Sequence, residues 1–487
     1  MNLRLSILAT IVSFGCLALS ASAELKFAGI FNSNMVLQQQ ADVPIWGTAE
    51  PGETVTVRCS WKRGPFRVEA NEDGLWRTVV ETPKADGRNH ELEAKAKSGE
   101  VTLKNVLVGE VWVCSGQSNM QWKMRGFGVK HFEEAVKKAK YPEIRLCTLP
   151  QVLSFEPQDE VQANWVPCSP QSVMSFSAVA YFFGSRIHEE LDVPIGLVST
   201  NWGGSSAEAW VREETLRKDF PEFKEALDEY PGLKMEGKAT FGGKEAPKGI
   251  RQTSPSVLYN AMLKPVMPMA MRGVIWYQGE TNVKAPEQYR TLFPTLIRDW
   301  REEWGQGDFP FYFVQIAPFH YKSEKKPAAL LREAQAMALA EPNTGMVVTM
   351  DVGDETNIHP KDKQPVGERL ARLALAKDYG QEDLVYSGPV YREMKKQGSE
   401  MWLRFEHVGG GLASRDGEAL SHFTVAGRNK KFYPAEAEIS GDNVVVKSKE
   451  VRSPVAVRFG WGNADAPNLM NKEGLPTSSF RTDDWDD

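Results

Sequence analysis

What this 487-residue chain lacks narrows its function early. Its five cysteines include no C-x-x-C pair and its seven histidines no pair at ligand spacing, so no structural zinc site is expected. The formal charge of −6 is mild, and no Lys/Arg cluster makes a phosphate-binding face, so no nucleic-acid partner is expected either. There is no internal repeat and no low-complexity tract. Beyond the first two dozen residues no apolar run is long enough to span a bilayer, which argues against stable membrane association. What is present is core-forming material: 41% hydrophobic and 10% aromatic residues, enough for about three ordinary domains.

The first residues, "MNLRLSILATIVSFGCLALSASAELKF", read as an export signal. Arg4 supplies a positive start, a short apolar run follows, and Ala21-Ser22-Ala23 forms the cleavage site. An uncleaved anchor is the alternative, disfavoured by the short run and its small-residue end. The mature chain is expected from near Glu24, secreted or periplasmic. It keeps Cys59, Cys114, Cys147 and Cys168. Export permits disulfides, and Cys147 with Cys168 is a candidate bridge because both lie in one insertion.

Three textures follow in order. Residues 24–104 alternate short β-branched runs with Pro and Gly turns, and the Asp73-Gly74 turn between "FRVEANE" and "LWRTVVE" signals a hairpin. This predicts a small β-sandwich. Residues 105–380 alternate strands ("VLVGEVWV", "PIGLVST", "RGVIWY", "PFYFVQI", "TGMVVTM") with helices ("SFSAVAYFFGSRIHEEL", "QYRTLFPTLIRDWREEW", "ALLREAQAMALAE", "KQPVGERLARLALAKDYG"). That pattern implies an α/β domain with a parallel sheet covered on both faces. Residues 381–487 return to strands, a second β-rich region.

In such a sheet, ligands gather beyond the carboxyl ends of the strands. The first strand runs into "CSGQSNMQW" and delivers Ser118; the second runs into "NWGGSSAEAW", where Gly203 and Gly204 offer bare backbone N–H groups. The third runs into "QGETN", with the Gln278 and Asn282 amides, and the last into "DVGDETNIHP", with His359. A serine, a histidine and N–H donors at one sheet edge are what acyl transfer needs. Each piece alone also reads as an ordinary turn, glycine pair or helix cap. The third triad member is open: Thr356 cannot serve, leaving the Asn357 carbonyl, preferred slightly over Asp354, with Asp351 also close in sequence.

"GQSNM", "NWGGSSAEAW", "WYQGETN", "DVGDETNIHPKDKQ" and "NLMNKEGLPTSSFRTDDW", with the N-terminal "NMVLQQQADVPIWGTAEPGETV", together resemble the sialate O-acetylesterase family of SGNH hydrolases. The likeness covers nearly the whole mature chain. It implies a flavodoxin-like SGNH domain with accessory β-domains, and removal of acetyl groups from sugar hydroxyls by serine chemistry without metal or cofactor. It places the nucleophile on Ser118, the base on His359, and oxyanion donors on the Ser118 backbone, the Gly203-Gly204 loop and an amide of the third block. There the usual Gly-x-Asn is one residue longer, Gly279-Glu280-Thr281-Asn282, leaving Gln278 (preferred) or Asn282. The common Asp-x-x-His is broken by Thr356.

Gln117, Trp202, Trp276 and Glu280 are candidate substrate contacts, and Trp122 is another ring near the site, though each Trp reads equally well as core. Glu280 and Glu208 read as loop-organising acceptors and not as a glycosidase pair. Within enzymes the alternative is an acetylxylan or other polysaccharide O-acetylesterase, sharing every catalytic residue. A non-catalytic carbohydrate-binding protein is a distant third. The acetylated sugar, the hydroxyl it carries and the oligomeric state are not legible in the sequence.

Overall fold

A computed structural model describes residues 24–485 apart from 127, 233–238, 241–249 and 323–326. The expected leader, residues 1–23, and the loop tip 242–249 lie outside the described residues.

The fold is built around one strand. β1 (Gly99–Gly116) is 18 residues long and buried over its last eleven. Its first part pairs antiparallel with His90–Ala96 and parallel with Val36–Gln38 in the N-terminal region. Its second part pairs parallel with β2 (Ile195–Asn201) and β3 (Gly273–Tyr277) in the central sheet. The division expected at residue 104 therefore falls inside a continuous strand.

β4 (Phe311–Val314) and β5 (Thr344–Val347) extend the sheet beyond β3, in parallel. Beyond β2 come Ile144–Thr148, parallel, and Trp165–Pro167, antiparallel. Without these two inserted strands the order is β2-β1-β3-β4-β5. The chain leaves β1 on one side for β2 and returns on the other as β3, so a crevice opens at the carboxyl end of β1.

Both faces of the sheet are covered, which is why its strands read as unbroken apolar runs. Val111 and Val113 of β1 face one core, shared with Trp276 and with α2 (Pro286–Trp304) and α3 (Pro327–Met337). Trp112 and Cys114 face the other, shared with α1 (Ala178–Leu191) and α4 (Gln364–Asp378). The first core runs on into the N-terminal region through Val43, Val55 and Trp76, so the two pack as one body.

Local chemistry sets the helix ends. Ser177 caps α1, its hydroxyl accepting the Ala180 N–H at 3.1 Å and donating to the Met120 carbonyl at 2.6 Å. Pro286 opens α2, and Gly305, at φ 69°, closes it.

The C-terminal region is two four-stranded sheets and a two-stranded ribbon (Leu412–Ser414 with Leu469–Asn471) around their own core, which includes Leu403, Val425, Val444 and Phe459. Arg332 of α3 fastens it, donating to the carbonyls of Gly460 (3.1 Å) and Gly462 (2.7 Å) and to Ser479 Oγ (3.0 Å).

The cysteine expectation is corrected here. All four cysteines are buried and free. Cys147 sits in the core on one face of the sheet and Cys168 in the core on the other, so the sheet itself separates them.

Candidate active site

Three strand ends meet at one level: Gly116 of β1 lies opposite Asn201 of β2 and Tyr277 of β3. Gly116 has φ 134°, and a Cβ there would sit 2.2 Å from the Tyr277 carbonyl oxygen, so only glycine lets the strand end so tightly. The Gln117 N–H donates to that same carbonyl at 2.9 Å. The chain then turns at once into a single helical turn, Ser118–Gln121, which leaves Ser118 half-buried at the crevice.

His359 arrives from the loop after β5. In the tautomer with the proton on Nδ1, the Ser118 hydroxyl donates to His359 Nε2 at 2.9 Å, joining residues 241 positions apart. The indole of Trp122 stacks on the imidazole, with centroids 4.6 Å apart and planes at 26°. Burial first, and the Lys363 ammonium second, push the His359 pKa below its ordinary value, favouring the neutral base.

The Gly203-Gly204 loop lies against Ser118: a Cβ on Gly203 would be 3.4 Å from the Ser118 Cβ. The Gly203 N–H donates to Gln121 Oε1 at 2.6 Å, so an acceptor oxygen already occupies that donor.

Other expected residues sit differently. Gln278 is fully buried, donating to the Ser205 carbonyl (3.2 Å) and Asn282 Oδ1 (2.7 Å) while accepting from the Tyr289 hydroxyl (2.9 Å). Asn282 donates to Glu208 Oε2 at 2.9 Å and accepts from the Ala207 N–H at 3.0 Å. Both amides brace the loops through these bonds.

The orienter candidates are corrected likewise. Asn357 uses its side-chain oxygen on the His359 backbone N–H (2.9 Å), not on the ring. Asp354 accepts from the Thr356 N–H and hydroxyl and from the Asn357 N–H, folding its own loop. Asp351 is paired with Arg369. No hydrogen bond to His359 Nδ1 occurs among the described residues; the ring contact it has is the stacked Trp122 indole.

Trp276 is fully buried among Trp210, Phe293 and Trp300, and Trp202 is 3% exposed, so both are packing residues and not sugar platforms. Gln117 is buried as well, its Oε1 accepting the N–H groups of Gly279 (3.2 Å) and Thr281 (3.3 Å) and thereby tying the first loop to the third. Glu280 is buried and accepts from Asn119 Nδ2 at 2.5 Å, as a loop-organising acceptor does. Sequence reasoning missed Asn119, Gln121 and Lys363. Asn119 and Gln121 follow Ser118 within one turn and Lys363 follows His359 by four residues, but nothing in the spacing tells which way they point.

A family model described as carbohydrate esterase, sialic acid-specific acetylesterase, matches residues 108–237 and 238–376. The chain belongs to this family. The sialate O-acetylesterase of Mus musculus is 30% identical over 490 residues, covering 91% of this chain and 90% of its own. That of Homo sapiens is 31% identical over 408 residues, covering 76% and 74%. Among solved structures, a carbohydrate acetylesterase from Xanthomonas citri is 36% identical, with a TM-score of 0.84 over 94% of this chain and all of the other. As a carbohydrate esterase the chain is a carboxylic ester hydrolase. Among the described residues no helix is long and apolar enough to cross a membrane.

Proposed function

We propose that this protein is an exported serine esterase of the SGNH type that removes O-acetyl groups from sugars, with O-acetylated sialic acid as its first candidate substrate. The observation that carries the reading is the 2.9 Å contact between Ser118 Oγ and His359 Nε2 at the carboxyl edge of the sheet. The strand order β2-β1-β3-β4-β5 supports a flavodoxin-like catalytic domain over about residues 105–380. Flanking β-domains and cleavage of the leader near Glu24 belong to the same reading.

In this mechanism His359 takes the Ser118 proton as Oγ attacks the acetyl carbonyl carbon. The carbonyl oxygen becomes an oxyanion that accepts from the Ser118 and Gly203 N–H groups, displacing Gln121 Oε1 from the latter. The position already holds one oxygen at hydrogen-bond distance, which supports its use by another. Collapse expels the sugar hydroxyl, which receives its proton from His359. Water, deprotonated by the same imidazole, then hydrolyses the acetyl-enzyme to acetate and free Ser118. The imidazole works without a carboxylate behind it, held by Trp122.

The test is acetate release from O-acetylated sialic acid and from acetylated xylan by the mature protein and by Ser118→Ala. Release by the wild type, falling at least about a thousand-fold in the folded variant, is expected. The preferred substrate decides between the sialate and polysaccharide readings. Equal release by both proteins removes Ser118 from the nucleophile's role.

A further inference from the structure

Beneath the Ser118–His359 pair lies a buried polar chain that the mechanism above does not use. Lys363, the residue preceding α4, is 1% exposed. Its Nζ donates to Asn119 Oδ1 at 2.5 Å and lies 5.8 Å from the ring centroids of both Trp122 and Tyr277. Asn119 spends its two amide protons on Glu280 Oε1 (2.5 Å) and on the carbonyl of Ile358 (3.1 Å), the residue before His359. Glu280 Oε2 has no hydrogen-bond partner among the described residues. One amide therefore links the nucleophile's helical turn, the histidine loop, a buried ammonium and a buried carboxylate.

A packing role alone explains this poorly. Burying an ammonium with one amide acceptor and two ring faces costs more than burying a methionine of similar length. The cation also sits over the same indole that stacks on His359, and at the N-terminal end of α4, where the helix dipole further disfavours it. What it gains is proximity to the imidazole. We propose that Lys363 is a positioning residue whose buried positive charge keeps His359 a free base in acidic medium, while Asn119 fixes the distance between the two. The proposal rests on the reading of Ser118 as nucleophile and His359 as base.

The direction follows from the charges. A general base works deprotonated, so activity persists down to the pH at which imidazolium forms. A nearby cation disfavours imidazolium and moves that point down. Burial lowers the Lys363 pKa to about 7, with Glu280 opposing the fall. The ammonium therefore fills in as the pH falls below about 7, the range in which His359 would otherwise protonate. The other charged groups near this loop are engaged elsewhere or turned outward. Asp354 folds its own turn, Asp362 pairs with Lys130 at 2.9 Å, and Lys361 packs beside Gly128. Lys123, after Trp122, is exposed, and Glu280 reaches His359 only through Asn119 and Lys363.

The experiment is the pH profile of kcat/KM for p-nitrophenyl acetate in wild type, Lys363→Met, Lys363→Gln and Lys363→Arg, each checked for folding by circular dichroism. Gln keeps a donor for Asn119 Oδ1 without the charge, and so stands in where Met fails to fold. The wild-type acid limb is expected below pH 6.5, the ordinary histidine value. Both neutral variants should move it upward by about one unit, with the plateau above pH 8 kept within a few-fold, and Arg should restore it. An unchanged limb in a folded, active neutral variant, with only the plateau lowered, overturns the proposal and leaves Lys363 structural. A wild type whose hydrolysis survives Ser118→Ala points instead to failure of the Ser–His reading itself.

Discussion

The buried part of β1 carries one buried carboxylate in its lower half, Glu110, and meets another beyond its upper end, Glu280, and the surroundings treat the two in opposite ways. At the lower end Glu110 is fully buried and saturated: Arg272 donates at 2.7 and 3.1 Å, Gln39 at 2.7 Å and the Tyr379 hydroxyl at 2.9 Å. At the upper end Glu280 has one side-chain donor among the described residues, Asn119, and an Oε2 with none. Desolvation raises its pKa, whereas Arg272, in direct contact with Glu110, is held more firmly charged. A saturated ion pair ties the N-terminal region, β3 and the segment after α4 to β1. An unsaturated carboxylate beside a lone ammonium is weak scaffolding, and it lies next to the reactive pair. The difference separates a joint from a site, although both residues would look alike in a census of buried charges.

That contrast can be broken from either end. The largest effect belongs to the lower one: Arg272→Met strands Glu110 with no cation and should cost about 3–5 kcal/mol of unfolding free energy by urea titration. The folded fraction should keep its acetate-release rate, since Arg272 lies just before β3, at the opposite end of that strand from the Tyr277–Gly116 pair beside Ser118. A cost under about 1 kcal/mol would mean the joint is not what holds that end. Glu280→Gln is the counterpart with a small expected effect on stability, within about 1 kcal/mol. The new amide oxygen still accepts from Asn119, and the other oxygen of the native carboxylate had no bond to lose. A loss as large as that of Arg272→Met would erase the distinction between the two ends.

How much of this was legible in the sequence follows from what each residue depends on. The parallel sheet was readable because burial on both faces forces unbroken apolar runs such as "VLVGEVWV", and the carboxyl-edge rule then brought Ser118, Gly203 and His359 together. β1 was readable as a strand but not as a strand shared by two regions, because pairing partners on its first half come from residues 36–38 and 90–96 and leave no mark on its own pattern. Amides were the least legible. Gln278 and Asn282 carry the same groups as an oxyanion donor, and only the positions of Ser205, Tyr289 and Glu208 show those groups spent on bracing. Trp276 and Trp122 have equal claims as sequence, yet one is locked in an aromatic core and the other lies on the His359 imidazole. Lys363 sat unremarked in "HPKDKQ", since a lysine at the start of a helix is normally a solvated one.

The central claim is that Ser118 is activated by His359 without help from a carboxylate. Its most direct test is covalent labelling with a serine-directed phosphonate, followed by peptide mass spectrometry on wild type, His359→Ala and Asp354→Asn. Ser118 and His359 together predict one adduct on the peptide containing Ser118, formed far more slowly in His359→Ala and at the wild-type rate in Asp354→Asn, whose carboxylate only folds its own turn. An adduct on another residue, or labelling that survives loss of His359 but not of Asp354, would contradict it.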